Sequence, residues 1–279
     1  MPGVSAAVCS QFGSGQQVGT LFDGPTETSG IVASRKQADV LWVHEDAGAT
    51  PVLYAVSKTG ALLGQWRIQT DFRIYDWEDL ALESMAGRAD RIWIGDTGDN
   101  GVRDGEAPRA SIHVARVGEP TVDRTVAPTT IGRLTAEDSF TFTYPDTPHD
   151  AEAIAVDPQT GDLYIFAKVG TTPAGVFRAR APLASGVLEL VATIEAASLN
   201  AADFSPTGDE LVVRDYASAF YFARGAVSWP EALTAKPKKI RLQSEAAAEA
   251  IGFAGDGSGF FTISEGANSP IWFYAKTCL

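Results

Sequence analysis

A short phrase recurs five times along the chain, and this repeat constrains the fold more than any other feature of the sequence. Four copies open apolar runs: TSGIVAS, DWEDLALES, DAEAIAVDP and AEAIGFAGDG. A fifth, LNAADFSPTGD, aligns through its Ser-Pro-x-Gly turn with the Asp-Pro-x-x-Gly turn of the third copy. The equivalent positions are Ser29, Glu78, Glu152, Asn200 and Glu249, with spacings of 49, 74, 48 and 49 residues. Self-similarity at such a period is typical of propellers and solenoids.

Each unit contains further runs rich in β-branched and aromatic residues. The third unit, for example, continues with LYIFAKVG, GVFRARAP and LELVATIE. Four antiparallel strands in a unit of about 48 residues are what a β-propeller blade requires. The sequence therefore predicts an all-β fold, a five-bladed β-propeller in one domain over residues 1–279. The predicted blades are 29–70, 76–145, 150–195, 199–243 and 248–279.

The last unit is too short for four strands, because only 30 residues follow Glu249. The N-terminal residues 17–24 are otherwise unassigned, and we predict that they pair as the outermost strand of the last blade. The second unit is longer than the others by about 25 residues. Its polar stretches at 98–108 and 118–130 are interpreted as insertions, not as a sixth blade.

The two cysteines, Cys9 and Cys278, lie at opposite ends of the chain without the spacing of a zinc or thioredoxin-type motif. Closure of the ring by the N-terminal strand brings the two ends together, so we predict a disulfide; two unpaired thiols are the alternative. A disulfide indicates an oxidising compartment. We therefore expect a secreted or periplasmic protein whose signal peptide is not part of the printed sequence.

The repeated position indicates a ligand site, because the first strand of each propeller blade lines the central channel. Five equivalent residues then form a ring of three carboxylates, one amide and one hydroxyl. Three converging carboxylates repel one another unless they protonate or bind a cation. Calcium accepts six to eight oxygen ligands with loose geometry, so we predict Ca²⁺ there. Two alternatives stay open: the glutamates face a wet channel and bind nothing, or the ion only braces the ring.

The charge balance narrows the class of partner. The chain has 22 Lys and Arg against 35 Asp and Glu, a formal charge of −13. Such a surface disfavours nucleic acid and anionic membranes, and no apolar run is long enough to span a bilayer. We expect a small-molecule substrate or ligand and a monomeric protein. The one basic cluster is interpreted as a solvated edge; it consists of Lys236, Lys238, Lys239 and Arg241.

Propeller geometry places the starts of the first strands and the ends of the second strands on one face, the mouth. Residues at these positions are polar. As catalytic candidates we predict His44, Asp96, His149 and Asp150. As substrate-binding candidates we predict Trp77, Lys168, Arg214, Tyr216 and Glu265. Lysine and arginine suit an anionic group, although rim salt bridges with neighbouring acids are the alternative.

Familiar catalytic motifs are missing from the sequence. It has no Gly-x-Ser-x-Gly elbow, no P-loop and no His-Glu-x-x-His. The GDTGDN segment at 95–100 fits a cation loop or an ordinary turn equally well. A glycosidase-like site, with Asp76, Asp150 and Glu265 as acid and base, is a third reading. Its aromatic platform would come from Trp77, Tyr216 and Trp42.

The order Ser29, Glu78, Glu152, Asn200, Glu249 resembles the axial calcium ligands of the calcium-activated nucleotidase (soluble apyrase) family, with Asn200 in place of the fourth-blade serine. That resemblance implies hydrolysis of nucleoside di- and triphosphates at the top of a five-bladed propeller. The phrases DWEDLA and DAEAIAVDPQTG are also similar, more loosely, to phytase and esterase-like phytase propellers. We therefore expect a calcium-containing hydrolase acting on a small anionic substrate, foremost a phosphoester. The main rival is a non-catalytic binding propeller with a structural calcium.

Overall fold

The structure, a computed structural model, describes residues 10–46 and 51–277. The chain begins with β1 (Gln16–Thr20). The first unit contains β2 (Thr28–Ala33), β3 (Leu41–Glu45), β4 (Val52–Val56) and β5 (Leu62–Gln69). The second contains β6 (Trp77–Glu83), β7 (Arg91–Asp96), a 3-10 helix (Asn100–Asp104), β8 (Ile112–Gly118), β9 (Ile131–Thr135) and β10 (Asp138–Thr143).

The remaining three units follow the same plan. The third contains β11 (Ala151–Val156), β12 (Leu163–Ala167), β13 (Ala174–Ala179), β14 (Gly186–Val187) and β15 (Glu189–Ile194). The fourth contains β16 (Ala201–Phe204), β17 (Glu210–Arg214), β18 (Ser218–Ala223), the short helix α1 (Trp229–Ala232) and β19 (Lys238–Arg241). The fifth contains β20 (Ala248–Phe253), β21 (Gly259–Ser264) and β22 (Pro270–Ala275). No helix in these ranges is long and apolar enough to cross a membrane.

The strands form five sheets, each with an antiparallel core of four strands. The first strands β2, β6, β11, β16 and β20 each contact the next one around the ring, and β20 contacts β2. This arrangement is a closed five-bladed β-propeller, as the repeat predicts. Closure leaves few sheet edges exposed to solvent.

The N-terminal strand completes the last blade, which confirms that prediction. β1 pairs antiparallel with β22, with Gln16 opposite Phe273 and Thr20 opposite Pro270. Before β1, the Gly13 amide donates to the Ala275 carbonyl at 2.9 Å. The predicted Cys9–Cys278 disulfide lies outside the described residues.

Two blades have a fifth strand that the sequence analysis did not predict. β9, which follows the second predicted insertion, pairs in parallel with β5 of blade 1, and β14 pairs in parallel with β10 of blade 2. In both cases the extra strand comes from the next unit along the chain. β9 has no buried residue and β14 has two residues. Neither therefore carries the hydrophobic pattern of a strand.

Aromatic side chains fill the spaces between neighbouring blades. Between blades 3 and 4, for example, the core includes Phe166, Phe204, Phe220 and Trp229. Each fully buried side chain of this size contributes roughly 2–3 kcal/mol relative to exposure. The packed blades hold their first strands in fixed positions around the channel.

Candidate functional site

The five repeated residues lie at irregularities of the first strands. Pairing with the second strand shifts register across Ser29, Glu78, Glu152 and Glu249. Asn200 lies directly before β16, where its amide donates to the Arg214 carbonyl at 3.1 Å. Bulges redirect a side chain out of the regular alternation of a strand. All five residues, which we name the axial ring, are buried.

Asn200 has the most informative hydrogen bonding in the axial ring. Its Nδ2 donates to the Ala248 carbonyl at 2.7 Å, which fixes the side-chain amide. Its Oδ1 is buried and has no hydrogen-bond partner within the described part of the chain. A buried acceptor without a partner costs about 1–3 kcal/mol. Oδ1 is therefore an oxygen that a cation could ligate.

The glutamates of the axial ring hold excess negative charge. Burial, and then the charge of Glu152, raises the pKa of Glu78 well above its usual range. Burial and Glu152 likewise raise the pKa of Glu249 to about 8. One cation opposes these acids directly, since the Lys168 Nζ donates to Glu152 Oε2. One ammonium against three carboxylates leaves the ring able to accept further positive charge.

The oxygen ligands of the axial ring fit a hard cation, although the carboxylate oxygens of its three glutamates do not all lie within 4.8 Å of one another. In residues 10–46 and 51–277, one group of three acids has ligand atoms within 4.8 Å of one another: Glu27, Asp46 and Glu265, at the rim of the mouth. The ligand atoms that the axial ring offers are oxygens, and in the described part of the chain Asn200 Oδ1 among them has no hydrogen-bond partner. Calcium prefers such oxygens, and the Lys168 ammonium would have to move away from Glu152 to admit it.

Below the axial ring the channel contains a different kind of carboxylate. Asp79 follows Glu78, at a position where the other blades have glycine or alanine. Its Oδ1 accepts from the Leu80 amide at 2.8 Å, and its Oδ2 accepts from Ile154 and Ala202 amides at 3.0 and 3.3 Å. One carboxylate thus satisfies backbone donors of three blades. Burial outweighs these bonds and raises its pKa well above the usual range.

A second buried carboxylate lies at the far end of the first strands. Asp203 Oδ2 accepts from the Phe253 amide at 2.7 Å and lies 3.5 Å from Arg35. Arg35 also donates to the carbonyls of Phe204, Phe253 and Ala254. Burial raises the pKa of Asp203 to about 6, although Arg35 opposes this. We name Asp79 and Asp203 the lower carboxylates.

The GDTGDN segment folds over the axial ring. A Cβ at Gly98 would collide with the carboxylates of Glu78 and Asp76, so a larger residue there would displace these side chains. The Asn100 amide donates to Asp76 Oδ2 at 2.6 Å. Asn100 Nδ2 lies 3.4 Å from Glu78 Oε1. The segment therefore closes one side of the site.

Asp96, a predicted catalytic residue, has both carboxylate oxygens occupied. Oδ1 accepts from the amides of Tyr75 and Asp76, at 2.9 and 2.6 Å. Oδ2 pairs with Arg109 at 2.9 Å, and Arg109 also donates to the Gly98 carbonyl at 2.7 Å. In this placement Asp96 holds the loops around the ring in position.

His44, also predicted to be catalytic, is fully buried. Its ring stacks on Trp77 with centroids 4.3 Å apart, and a Cβ at Gly30 would clash with it. Burial lowers the pKa of His44 to about 3, against a smaller opposite effect of the Trp77 backbone. A neutral imidazole without solvent contact is poorly placed to exchange a proton with a ligand in the mouth. We therefore assign His44 no catalytic role.

The two cations predicted to bind substrate are already paired with acids. Arg214 is fully buried; it donates to Glu245 Oε2 at 3.1 Å and to the Ala250 carbonyl at 2.8 Å. Lys168 pairs with Glu152 and lies 5.4 Å from the centroid of the exposed Tyr216 ring. Neither cation is free to clamp an anionic substrate in this arrangement.

The remaining candidates lie nearer the surface of the mouth. His149 Nε2 lies 3.0 Å from Asp146, and its ring packs against Tyr144 and Phe177. Asp150 Oδ1 accepts from the Asp99 amide at 2.9 Å. Burial, and then the charge of Glu27, raises the pKa of Glu265. These side chains edge the mouth without meeting at one point.

Several residues of the site were missed by sequence reasoning: Asp79, Asp203, Arg35, Arg109 and Glu245. Asp79 and Asp203 lie one and three residues after ring positions of the repeat. The other repeats have small or apolar residues at the equivalent places, so the sequence could have singled out these two acids. The partners come from loops outside the repeated phrase. Nothing in their spacing marks them.

The fold and the axial ring define the protein as a five-bladed β-propeller with a polar axial site. No protein-family model matches the chain, and no curated protein matches it. Among solved structures it is similar to the Malassezia sympodialis allergen Mala s 1, with a TM-score of 0.53 and 11% identity, covering 94% of this chain and 93% of that one.

It is also similar to XC5397 from Xanthomonas campestris, described as a gluconolactonase, with a TM-score of 0.51 and 14% identity over 94% and 91% of the two chains. The Dos1 propeller matches with a TM-score of 0.44 and 12% identity over 89% and 68%. At such identities the first two likenesses show the fold alone. They lend no specific support to the nucleotidase or phytase resemblance.

Proposed function

We propose that the protein is a cation-dependent hydrolase whose site lies at the mouth above the axial ring. The observation that carries the proposal is Asn200, whose buried Oδ1 has no hydrogen-bond partner among the residues that the structure describes, in a ring with glutamates of raised pKa. The residues that would hold Ca²⁺ are those of the axial ring, Ser29, Glu78, Glu152, Asn200 and Glu249. A bound Ca²⁺ would supply Lewis-acid polarisation of the ester or phosphoester oxygen.

The chain itself would direct the substrate to one end of the channel. The lower carboxylates and Arg35 are buried below the ring and form hydrogen bonds to the backbone of several blades, so we expect them to obstruct the channel from that side. Substrate and water therefore reach the ring from the mouth. Asp150 and His149 edge that mouth, and we assign them the roles of base and acid; His149 Nε2 lies 3.0 Å from Asp146 Oδ1.

The phosphoester predicted from the sequence is one candidate substrate within this proposal. Lys168 and Arg214 were predicted to bind its anionic group. Both are engaged with glutamates, so an anion would need the bound cation as its main positive partner. Carboxylic esters and lactones carry no anionic group that needs a positive partner, so they should be tested together with phosphoesters.

A hydrolase panel with calcium and with chelator tests the proposal. It should include nucleoside phosphates, phosphomonoesters, carboxylic esters and lactones. We expect calcium-dependent turnover of at least one class. Asn200→Leu should lower that turnover by at least about tenfold, while Asn200→Asp, which keeps an oxygen ligand, should retain most of it. Circular dichroism checks that both variants fold.

A non-catalytic binding propeller is the second candidate, and the pairing of both mouth cations with acids favours it. In that case calcium binds the axial ring and only stabilises the fold. Calcium binding without turnover of any substrate class would overturn the hydrolase proposal and support this candidate.

A further inference from the structure

Arg214 is buried at the boundary between blades 4 and 5, where it contacts the backbone of both. It is the last residue of β17, and its side chain has no exposed surface. Its carbonyl accepts from the Asn200 amide at 3.1 Å, and its Nη1 donates to the Ala250 carbonyl at 2.8 Å. Arg214 therefore contacts one residue of the axial ring, Asn200, directly and a second, Glu249, through the neighbouring residue.

The backbone on both sides of Glu249 is held by side chains of blade 4. Asn200 Nδ2 donates to the carbonyl of Ala248, the residue before Glu249, and Arg214 donates to the carbonyl of Ala250, the residue after it. The pairing of β20 with β21 shifts register between Ala248 and Ala250. A bulge re-aims the side chain that it contains. The two hydrogen bonds from blade 4 therefore set the direction of the Glu249 side chain.

The same device recurs at other boundaries between blades. Ser29 Oγ donates to the carbonyl of Glu78 at 2.5 Å. Thr97 Oγ1 donates at 2.6 Å to the carbonyl of Ala151, the residue before Glu152. In both cases a side chain of one blade holds the backbone at the ring position of the next blade. At the blade 4–5 boundary, one of the two donors is a guanidinium, which needs a counterion when it is buried.

Glu245 supplies that counterion. Its Oε2 accepts from Arg214 Nη2 at 3.1 Å, and both side chains are fully buried. Its Oε1 accepts from the Thr262 hydroxyl at 3.2 Å. Burial raises the pKa of Glu245, and the charge of Arg214 opposes this effect. Because the pair has no net charge when both groups are ionised, it can hold the backbone beside the axial ring without repelling a cation there.

We propose that Arg214 is a positioning residue of the axial ring: paired with Glu245, it fixes the backbone around Glu249 and Asn200 so that both residues can ligate the same cation. The cation-binding consequence rests on the proposed function, whereas the control of the Glu249 backbone rests on the hydrogen bonds alone. This role differs from the binding of an anionic substrate that the sequence predicts for Arg214.

A double variant separates positioning from stability. Arg214→Met alone leaves the Glu245 carboxylate buried without a cation, which is strongly destabilising. Arg214→Met combined with Glu245→Gln removes both charges and keeps an oxygen acceptor for Thr262, so urea unfolding should show a protein closer in stability to the wild type than the single variant. The double variant still lacks the donor to the Ala250 carbonyl.

Two measurements on the whole protein follow the loss of that donor. Calorimetric titration with Ca²⁺ should show an affinity at least about tenfold weaker in the double variant than in the wild type, as for the loss of a residue that orients a metal ligand. Hydrogen exchange in chelator, followed by mass spectrometry, should be faster at residues 248–251. Exchange in β6, which carries the ring position of blade 2, should be unchanged and serves as the internal reference.

Arg35→Met is the matched control for calcium affinity. Arg35 also donates to a carbonyl of β20, that of Phe253, but at the opposite end of the strand from Glu249. Its removal should destabilise the protein and leave calcium affinity unchanged. Wild-type calcium affinity in the double variant, or an equal loss of affinity in Arg35→Met, would overturn the positioning role.

The exchange measurement distinguishes failure of this inference from failure of the proposed function. If the wild type binds no calcium, the axial ring is not a calcium site, and exchange at residues 248–251 still tests the control of the Glu249 backbone. Faster exchange there in the double variant supports that control. Unchanged exchange overturns it, whether or not calcium binds.

Discussion

Two sets of buried carboxylates share the channel, and they differ in what neutralises them. The lower carboxylates accept hydrogen bonds from backbone amides of several blades, and Asp203 also faces Arg35. The glutamates of the axial ring raise one another's pKa values, and Lys168 forms an ion pair with one of them, Glu152. The protein supplies hydrogen bonds to the lower carboxylates, whereas the negative charge of the axial-ring glutamates is neutralised only in part.

Under the proposed function, this difference corresponds to a structural role for the lower carboxylates and a cation-binding role for the axial ring. A buried carboxylate with its bonds made supports the fold, and its removal leaves donors unpaired. A buried carboxylate without such bonds destabilises the fold unless it protonates or binds a cation. The two sets should therefore respond in opposite ways to mutation, to calcium and to pH.

The largest expected effect is on stability. Asp79→Ala leaves three backbone amides without an acceptor and should lower the free energy of unfolding by about 3 kcal/mol or more. Glu78→Gln, one residue away, removes a repelling charge and should change it by less than about 1 kcal/mol in chelator, or raise it. Urea unfolding at neutral pH measures both. Similar losses in the two variants would contradict the distinction between the sets.

The next effect concerns calcium affinity. Lys168→Met removes the ammonium that pairs with Glu152 and should tighten calcium binding by about tenfold or more, because the ring then carries an extra uncompensated charge. Arg35→Met, beside the lower carboxylates, should destabilise the protein without changing calcium affinity. Lys58→Met, an exposed lysine, is the control. Weaker calcium binding in Lys168→Met would show that the lysine does not compete with the ion.

The smallest effect is the pH dependence of stability. Asp203 has a pKa of about 6 in the folded protein against an ordinary 3.8, so its contribution is lost as pH rises from 3.8 to 6. His44 has a folded pKa of about 3 against 6.5, so its contribution is lost as pH falls from 6.5 to 3. The two oppose each other between pH 4 and 6.

Thermal melts from pH 4 to 6.5 separate these contributions. Asp203→Asn should make the protein more sensitive to acid than the wild type, since the compensating rise is gone. His44→Gln should make it less sensitive. Parallel curves for all three proteins would contradict the stated charge states of Asp203 and His44.

The ring and the blades were predictable because they repeat. The phrase around Glu78 and Glu152 recurs in every unit, and each copy starts a strand, so the number of blades and the positions that line up around the channel follow from the sequence alone. The short last unit likewise predicts that β1 closes the ring.

The pairing of Arg214 was not predictable, because its acidic partner lies outside the repeat. Arg214 pairs with Glu245 from the loop before β20, and no pattern announces that contact. His44 occupies a polar strand end in the sequence, yet Gly30 and Trp77 enclose it in the structure. Tertiary packing decides which of several polar residues at a strand end face the solvent.

Calorimetric titration of the chelated protein with Ca²⁺ tests directly whether the axial ring binds a cation. We expect one calcium ion per chain, with affinity reduced at least about tenfold by Asn200→Leu and by Glu249→Gln. Glu27→Gln, in the acidic group at the rim, should leave the affinity nearly unchanged. No calcium binding, or binding that is lost in Glu27→Gln and kept in Asn200→Leu, would contradict a cation in the axial ring.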